Sequence, residues 1–213
     1  MRSGIALFVL PALLICGTVH AQSSLQKSCS DPNPDIRIAA CSALIDGGQD
    51  QKSDVAIALA NRGSGYTDKG DYPRAILDLD QAVAIAPDLG VLLNNRCYAL
   101  AAAGHPEQAL IDCDKAKMLL PGSEQVSDSR GYAYFRLGRY REAIRDFDEV
   151  LRRSHRTKAL YIRGIAKLKI GDPSGQTDLD QATSLDPNIS ENMARMGIAP
   201  QTLAEPARTA SAP

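Results

Sequence analysis

The sequence predicts an all-α fold, an array of short helix pairs, on three observations: small and aliphatic residues dominate, one pattern recurs at a fixed period, and turn residues follow that same period. Of 213 residues, 44% are hydrophobic but only 5% aromatic, with no Trp. Ala, Leu and Ile recur over long stretches, as in helices packed through small side chains. Lys+Arg 24 against Asp+Glu 25 gives a net charge of −1, with neither a basic field nor an acidic tail. Nucleic acid is therefore not expected as a partner.

The chain opens with Met1-Arg2-Ser3, the apolar run Gly4 to Cys16, and the small-residue exit Gly17-Thr18-Val19-His20-Ala21. Charge, apolar core and exit are those of a secretory signal peptide over 1–21, cut after Ala21. The run holds Pro11 and is shorter than the ~20 residues that cross a bilayer, so no membrane span is expected after cleavage. A lipid on Cys16 is disfavoured by the bulky Ile15 before it. The expected location is periplasmic or secreted. Four cysteines then remain, Cys29, Cys41, Cys97 and Cys113, an even number outside the reducing cytosol, with three possible pairings. The nearest-neighbour pairing is expected: Cys29 with Cys41, because an extended lead over 22–33 can fold back onto the helix that Pro32 and Pro34 start. Cys97 with Cys113 is the second pair, with buried free thiols as its alternative. No cysteine spacing matches a metal site.

Residues 34–46 read as a single capping helix with Ile36, Ala40 and Ala43 on its buried face. Gly47-Gly48 ends it, and a polar linker runs from Gln49, so that helix and linker fill 34–53. Residues 54–188 hold four units, at about 56–89, 90–123, 124–156 and 157–188. The segments Ala60-Asn61-Arg62-Gly63, Asn94-Asn95-Arg96-Cys97, Asp128-Ser129-Arg130-Gly131 and Tyr161-Ile162-Arg163-Gly164 place arginines 34, 34 and 33 residues apart. Gly70, Gly104, Gly138 and Gly171 follow at the same period and stop the first helix of each unit. Asp71 and Asp172, with Pro73, Pro106 and Pro173, start the second. Each second helix carries an Asp-x-Asp pair: Asp78 and Asp80, Asp112 and Asp114, Asp146 and Asp148, Asp178 and Asp180. Ser190 to Met196 form a C-terminal capping helix within 189–198, and residues 199–213, without periodicity, are expected to be disordered.

This pattern resembles the tetratricopeptide repeat over about 54–188. The layout, a single helix, then repeats, with a cysteine before and within that helix, resembles exported repeat proteins of Gram-negative bacteria. The resemblance implies a right-handed α-solenoid of four helix pairs with N- and C-terminal capping helices. It puts small residues at the closest helix approach, Gly63, Cys97, Gly131 and Gly164 against Ala75, Ala109 and Ala143. Tyr66, Leu100, Tyr134, Leu79, Phe147 and Leu179 then wedge between units. Two units depart from the pattern. The third has Val150 for a small residue and Arg152-Arg153-Ser154-His155-Arg156 for a closing proline; the fourth has Lys167 for an aromatic and Gly175 for alanine. The fourth is therefore expected to be the loosest.

Helical residues two apart diverge by about 200°, so an Asp-x-Asp pair cannot face one metal ion. One Asp of each pair is expected to meet Arg62, Arg96, Arg130 or Arg163 in a ladder of partly buried ion pairs. Histidine is too scarce for catalysis: His20 leaves with the leader, His105 caps a helix and His155 lies in a turn. No nucleophile, zinc or phosphate-loop motif is present, so neither an enzyme nor a cofactor is expected.

The resemblance implies a concave groove lined by the first helices, binding a protein or peptide partner. Its residues would be Asn61, Ser64, Asn94, Asn95, Tyr98, Tyr132, Phe135, Arg136, Lys158, Tyr161, Ile165 and Lys169, giving an aromatic and basic C-terminal half. Some members grip a C-terminal carboxylate with a clamp of Lys, Asn and Arg; here Asn95 alone matches, and Ala60, Ser64, Gln125 and Ser129 stand at the other places. The expected role is a non-enzymatic scaffold or adaptor in the periplasm or outside the cell. The alternatives are a self-associating structural envelope component, or a binder or processor of an anionic cell-wall fragment held by Arg136, Lys158 and Lys169.

Overall fold

The computed structural model describes residues 23–48 and 51–200, and the regular elements among them are helices. The expected signal peptide and most of the expected tail lie outside the described residues. A short lead helix, α1 (residues 23–28), and α2 (Pro34–Asp46) precede four pairs: α3 (Lys52–Asp68) with α4 (Tyr72–Ile85), α5 (Gly90–Ala103) with α6 (Pro106–Leu119), α7 (Glu124–Arg136) with α8 (Tyr140–Leu151), and α9 (Thr157–Lys169) with α10 (Gly175–Leu185). The last helix is α11 (Ile189–Arg195), which packs on α9 and α10. From α2 onward each helix packs on its sequence neighbour, and the first helices of successive pairs also pack on one another. The second helices stand farther apart and are bridged by long side chains, such as Lys117 of α6 to Glu149 of α8 at 2.7 Å. The closer layer is the inner one, so α3, α5, α7 and α9 form the concave side of an α-solenoid.

Local chemistry sets the period. Gly70, Gly104, Gly138 and Gly171 all have left-handed backbone, φ 75, 92, 73 and 80°, which turns the chain at the end of each first helix. Asp71 accepts from the Arg74 N–H at 3.2 Å and caps α4. His105 holds the cap position of α6, but its side chain makes no capping bond, contrary to expectation.

Within three pairs, glycine on the first helix meets a large side chain on the second. A Cβ at Gly63 would stand 2.9 Å from Leu79, at Gly131 3.2 Å from Phe147, and at Gly164 3.0 Å from Leu179. In the second pair these two places are Cys97 and Cys113, both fully buried and joined by a disulfide with Cα atoms 5.4 Å apart. Two mid-sized bonded side chains thus fill the volume that a small and a large one share elsewhere. The other disulfide, Cys29–Cys41, ties the lead to α2 with Cα atoms 4.7 Å apart. Both expected pairings are present.

Three expectations on packing are corrected. The lead is helical over 23–28, because no Pro or Gly interrupts it before Pro32. On α2, Ile36 is 46% exposed and Ala43 is also exposed; the buried face is Ala40, Cys41 and Leu44, turned inward where Cys41 meets Cys29. The fourth pair is close rather than loose: a Cβ on Gly175 would fall 2.3 Å from the Gly164 carbonyl, so glycine replaces alanine to let the backbones touch. Lys167 takes a place in the ion-pair ladder, 3.0 Å from Asp178.

That ladder uses both acids of the first three Asp-x-Asp pairs and the first acid of the fourth. Arg96 donates through Nε and Nη2 to Asp112 of its own unit at 2.6 and 2.8 Å, and through Nη1 to Asp80 of the preceding unit at 2.9 Å. Arg130 repeats this with Asp146, 2.8 Å for both bonds, and Asp114 at 3.1 Å. Arg163 repeats it with Asp178, 2.7 and 2.8 Å, and Asp148 at 2.8 Å. The divergence of two helical residues sends one acid back to its own first helix and the other toward the next. At the ends the partners change: Arg62 holds Asp78 and reaches Ser42 of α2 at 3.2 Å, and Asp180 accepts from Gln176 in its own helix at 2.8 Å. Burial pushes the Asp178 carboxyl up, but hydrogen bonds from Arg163 and Lys167 outweigh it and hold it below its ordinary value. Its contribution to stability is therefore complete above the ordinary carboxylate range and is lost as pH falls through that depressed value.

Two outcomes follow for urea unfolding. Arg96→Ala leaves Asp112, whose side chain is 7% exposed, without its cation and costs about 3–5 kcal/mol. Asp80→Asn, at a side chain 55% exposed, costs about 1 kcal/mol or less. Under a reductant, Cys113→Leu beside a retained Cys97 over-packs the pair by about 1–3 kcal/mol, and adding Cys97→Gly recovers most of that loss. Additive single effects would contradict this volume exchange.

Candidate concave binding site

The inner helices bring polar residues from three successive units into one cleft of about 180 Å³. Ser64 and Thr67 come from α3, Asn94, Asn95 and Tyr98 from α5, and Gln125, Asp128 and Ser129 from α7, with Arg156 at the start of α9. A second cleft of about 380 Å³ shares Thr67, Asp68 and Tyr98 and is walled by Tyr72, Lys158, Asn192 and Arg195. Tyr98 joins the two. Its ring lies 5.5 Å from that of Tyr132, and burial pushes its phenol up.

Asn94 is half-buried, and its Oδ1 is a buried acceptor without a hydrogen-bond partner among the described residues. Such a group costs about 1–3 kcal/mol until a donor reaches it. One repeat further on, Asp128 is raised above its ordinary value by burial, partly offset by Arg156 at 3.3 Å and the charge of Lys158. Among the described residues no group of three or more His, Cys, Asp or Glu is placed to hold a metal ion.

Of the expected groove residues, Ser64, Asn94, Asn95, Tyr98 and Lys158 line these clefts. The others stand elsewhere. Asn61 lies under the lead, its amide 3.8 Å from Cys29 Sγ, in a separate apolar pocket of about 230 Å³. Tyr132 is buried behind Tyr98 and accepts from Arg136 at 3.0 Å. Phe135, Tyr161 and Ile165 are core residues, 2%, 2% and 1% exposed. Lys169 closes α9 away from both clefts. The C-terminal half is thus not an aromatic and basic wall, because its rings pack against neighbouring helices. Of the three cations expected at an anion site, Lys158 lines the second cleft, while Arg136 donates to Tyr132 and Lys169 lines neither cleft.

Asp128 went unrecognised in the sequence, although it stands at the register of Asn94 one period on. Arg156, Asn192 and Arg195 carry no such signal, since they come from a turn and from the capping helix.

A sequence model of the tetratricopeptide repeat matches residues 127–155, most of the third unit. No curated protein matches the chain in sequence. Among solved structures the chain is similar to MamA of MSR-1, at 18% identity and TM-score 0.59, over 81% of this chain and 98% of that one. It is similar also to MamA 41-end from Desulfovibrio magneticus RS-1, at 13% identity and TM-score 0.61, over 80% and 95%. MamA of AMB-1 gives 18% identity and TM-score 0.57, over 79% and 98%. At these identities the likeness is one of fold. The family match over 127–155, the repeated signature and the stacked pairs together support a tetratricopeptide-repeat protein.

The Asp128 environment gives a pH dependence of definite sign. A carboxyl raised on folding binds its proton more tightly in the folded chain, so stability falls as pH rises from the ordinary carboxylate value, about 4, through the raised one. Asp128→Asn removes that slope in urea titrations at successive pH values; an unchanged slope would contradict the burial argument.

Proposed function

We propose that the chain is a non-enzymatic scaffold or adaptor that holds an extended segment of a partner protein on its concave side. The observation that carries this reading is the Asn94 acceptor, buried and unpaired beside Asn95 and Gln125 in a cleft spanning three units. Amide side chains offer both a donor and an acceptor, the complement of a peptide backbone. An extended strand presents that backbone along its length. Tyr98 supplies an apolar contact held in place by Tyr132, and Lys158 adds a cation at the rim. Recognition then depends more on backbone pairing than on aromatic anchors.

The proposed location is the periplasm or the outside of the cell. Two disulfides support an oxidising compartment, and the leader-like start of the sequence agrees with it. Among the described residues no helix is long and apolar enough to cross a membrane.

The test is a substitution whose effects on stability and binding have opposite signs. Asn94→Leu removes the unpaired acceptor, so the free protein becomes more stable by up to about 1 kcal/mol in urea unfolding. The same variant loses affinity by roughly tenfold for a partner captured by the parent from an envelope extract. Equal affinity in parent and variant would move binding off the concave side.

A further inference from the structure

The outer face carries a second pattern at the repeat register. On α4 the outward positions include Leu77 and Ala84; one repeat on, α6 has Ile111 and Met118; the next, α8, has Arg145, with Arg152 as its C-cap; α10 has Thr177 and Ser184. All eight residues are exposed. Ile111 and Met118 are 73% and 76% exposed, the highest among the large apolar side chains of the described residues, and Leu77 is 58%. Arg145 and Arg152, with Arg141 on the same face of α8, make no hydrogen bond or ion pair among the described residues. The nearest acids on that helix are already held, Glu142 by Arg139 at 2.8 Å and Glu149 by Lys117 at 2.7 Å. An apolar row on α6 and a row of cations without a direct pairing, whose charges act only at a distance on Glu142 and Glu149, thus stand at equivalent registers of two successive second helices joined by the Lys117–Glu149 bridge.

We propose that this face docks an acidic amphipathic helix of another protein, separately from the concave cleft. Positions seven apart lie about 10 Å apart along one face of a helix. A partner helix lying along α6 and α8 can set apolar residues at that spacing against Ile111 and Met118. Carboxylates on its flank then meet Arg145 and Arg152, whose guanidinium groups suit bidentate pairing. Charge complementarity selects an acidic partner, and the two rows select a helix rather than an extended strand. The protein is then a two-sided adaptor.

The test uses the full mature protein and a stapled helical peptide bearing leucines seven residues apart with glutamates along one flank, read by fluorescence anisotropy. Saturable binding is expected, falling roughly tenfold or more in Arg145→Glu/Arg152→Glu and in Ile111→Ser/Met118→Ser, and unchanged in Asn94→Leu. A peptide with lysines for the glutamates should restore binding to the Arg145→Glu/Arg152→Glu variant. Equal binding of a sequence-scrambled peptide, or no saturable binding, overturns the proposal. Concentration-dependent mass of the free protein that disappears in Ile111→Ser/Met118→Ser also overturns it, by assigning the face to a second copy of this chain. Because these side chains are exposed, the Arg145→Glu/Arg152→Glu and Ile111→Ser/Met118→Ser variants should retain the parent unfolding midpoint. Failure of the concave site would appear separately, as equal partner affinity of the parent and Asn94→Leu.

Discussion

Arg96, Arg130 and Arg163 each hold one carboxylate of their own unit and one of the unit before, so three guanidinium groups join four helix pairs. The arrangement depends on geometry available only in a repeat. The two acids of each Asp-x-Asp point to different neighbours, and the planar fork of arginine spans both. The inner acids Asp112, Asp146 and Asp178 are buried, with 7% of each side chain exposed, so their charges need the fork, while the outer acids sit nearer solvent. Burial of small side chains supplies the general attraction between helices. The ladder fixes the register in which one pair follows another.

This register also creates the concave cleft. Holding the second helices apart at the arginines while the first helices pack directly gives the stack its curvature, and curvature brings Ser64, Asn94, Asn95 and Gln125 into one space. The core accommodates this with different residues in each unit, glycine against Leu or Phe in three and a disulfide in the second. The polar wall above it is less well satisfied, with an unpaired acceptor at Asn94 and a half-buried acid at Asp128. Of the two, Asn94 Oδ1 lacks a partner among the described residues, whereas Asp128 is held by Arg156 at 3.3 Å.

The helix pairs, their turns and the arginine–aspartate pairing were legible because each rests on a period, and a period survives any single departure. The side chains of the site were legible only in part. Asn94, Asn95 and Tyr98 follow from helical register alone. Whether Tyr132, Phe135 and Tyr161 face the groove or the next helix depends on a small rotation of each inner helix, and packing turned all three inward. Asn61 follows the register but is covered by the lead, whose helical form depends on the absence of a breaker before Pro32 and on the tether from Cys29 to Cys41. Gly175 looked like a defect by pattern and is a contact in space, because the Gly164 carbonyl occupies the volume its Cβ would need.

The central claim, that shared arginines bind one unit to the next, is tested most directly by amide hydrogen exchange at increasing urea in Arg130→Gln. The account predicts that α7 to α11 open at a lower free energy than α3 to α6, with the break at the altered rung. Opening of the whole stack as one unit, at the parent free energy, would contradict it.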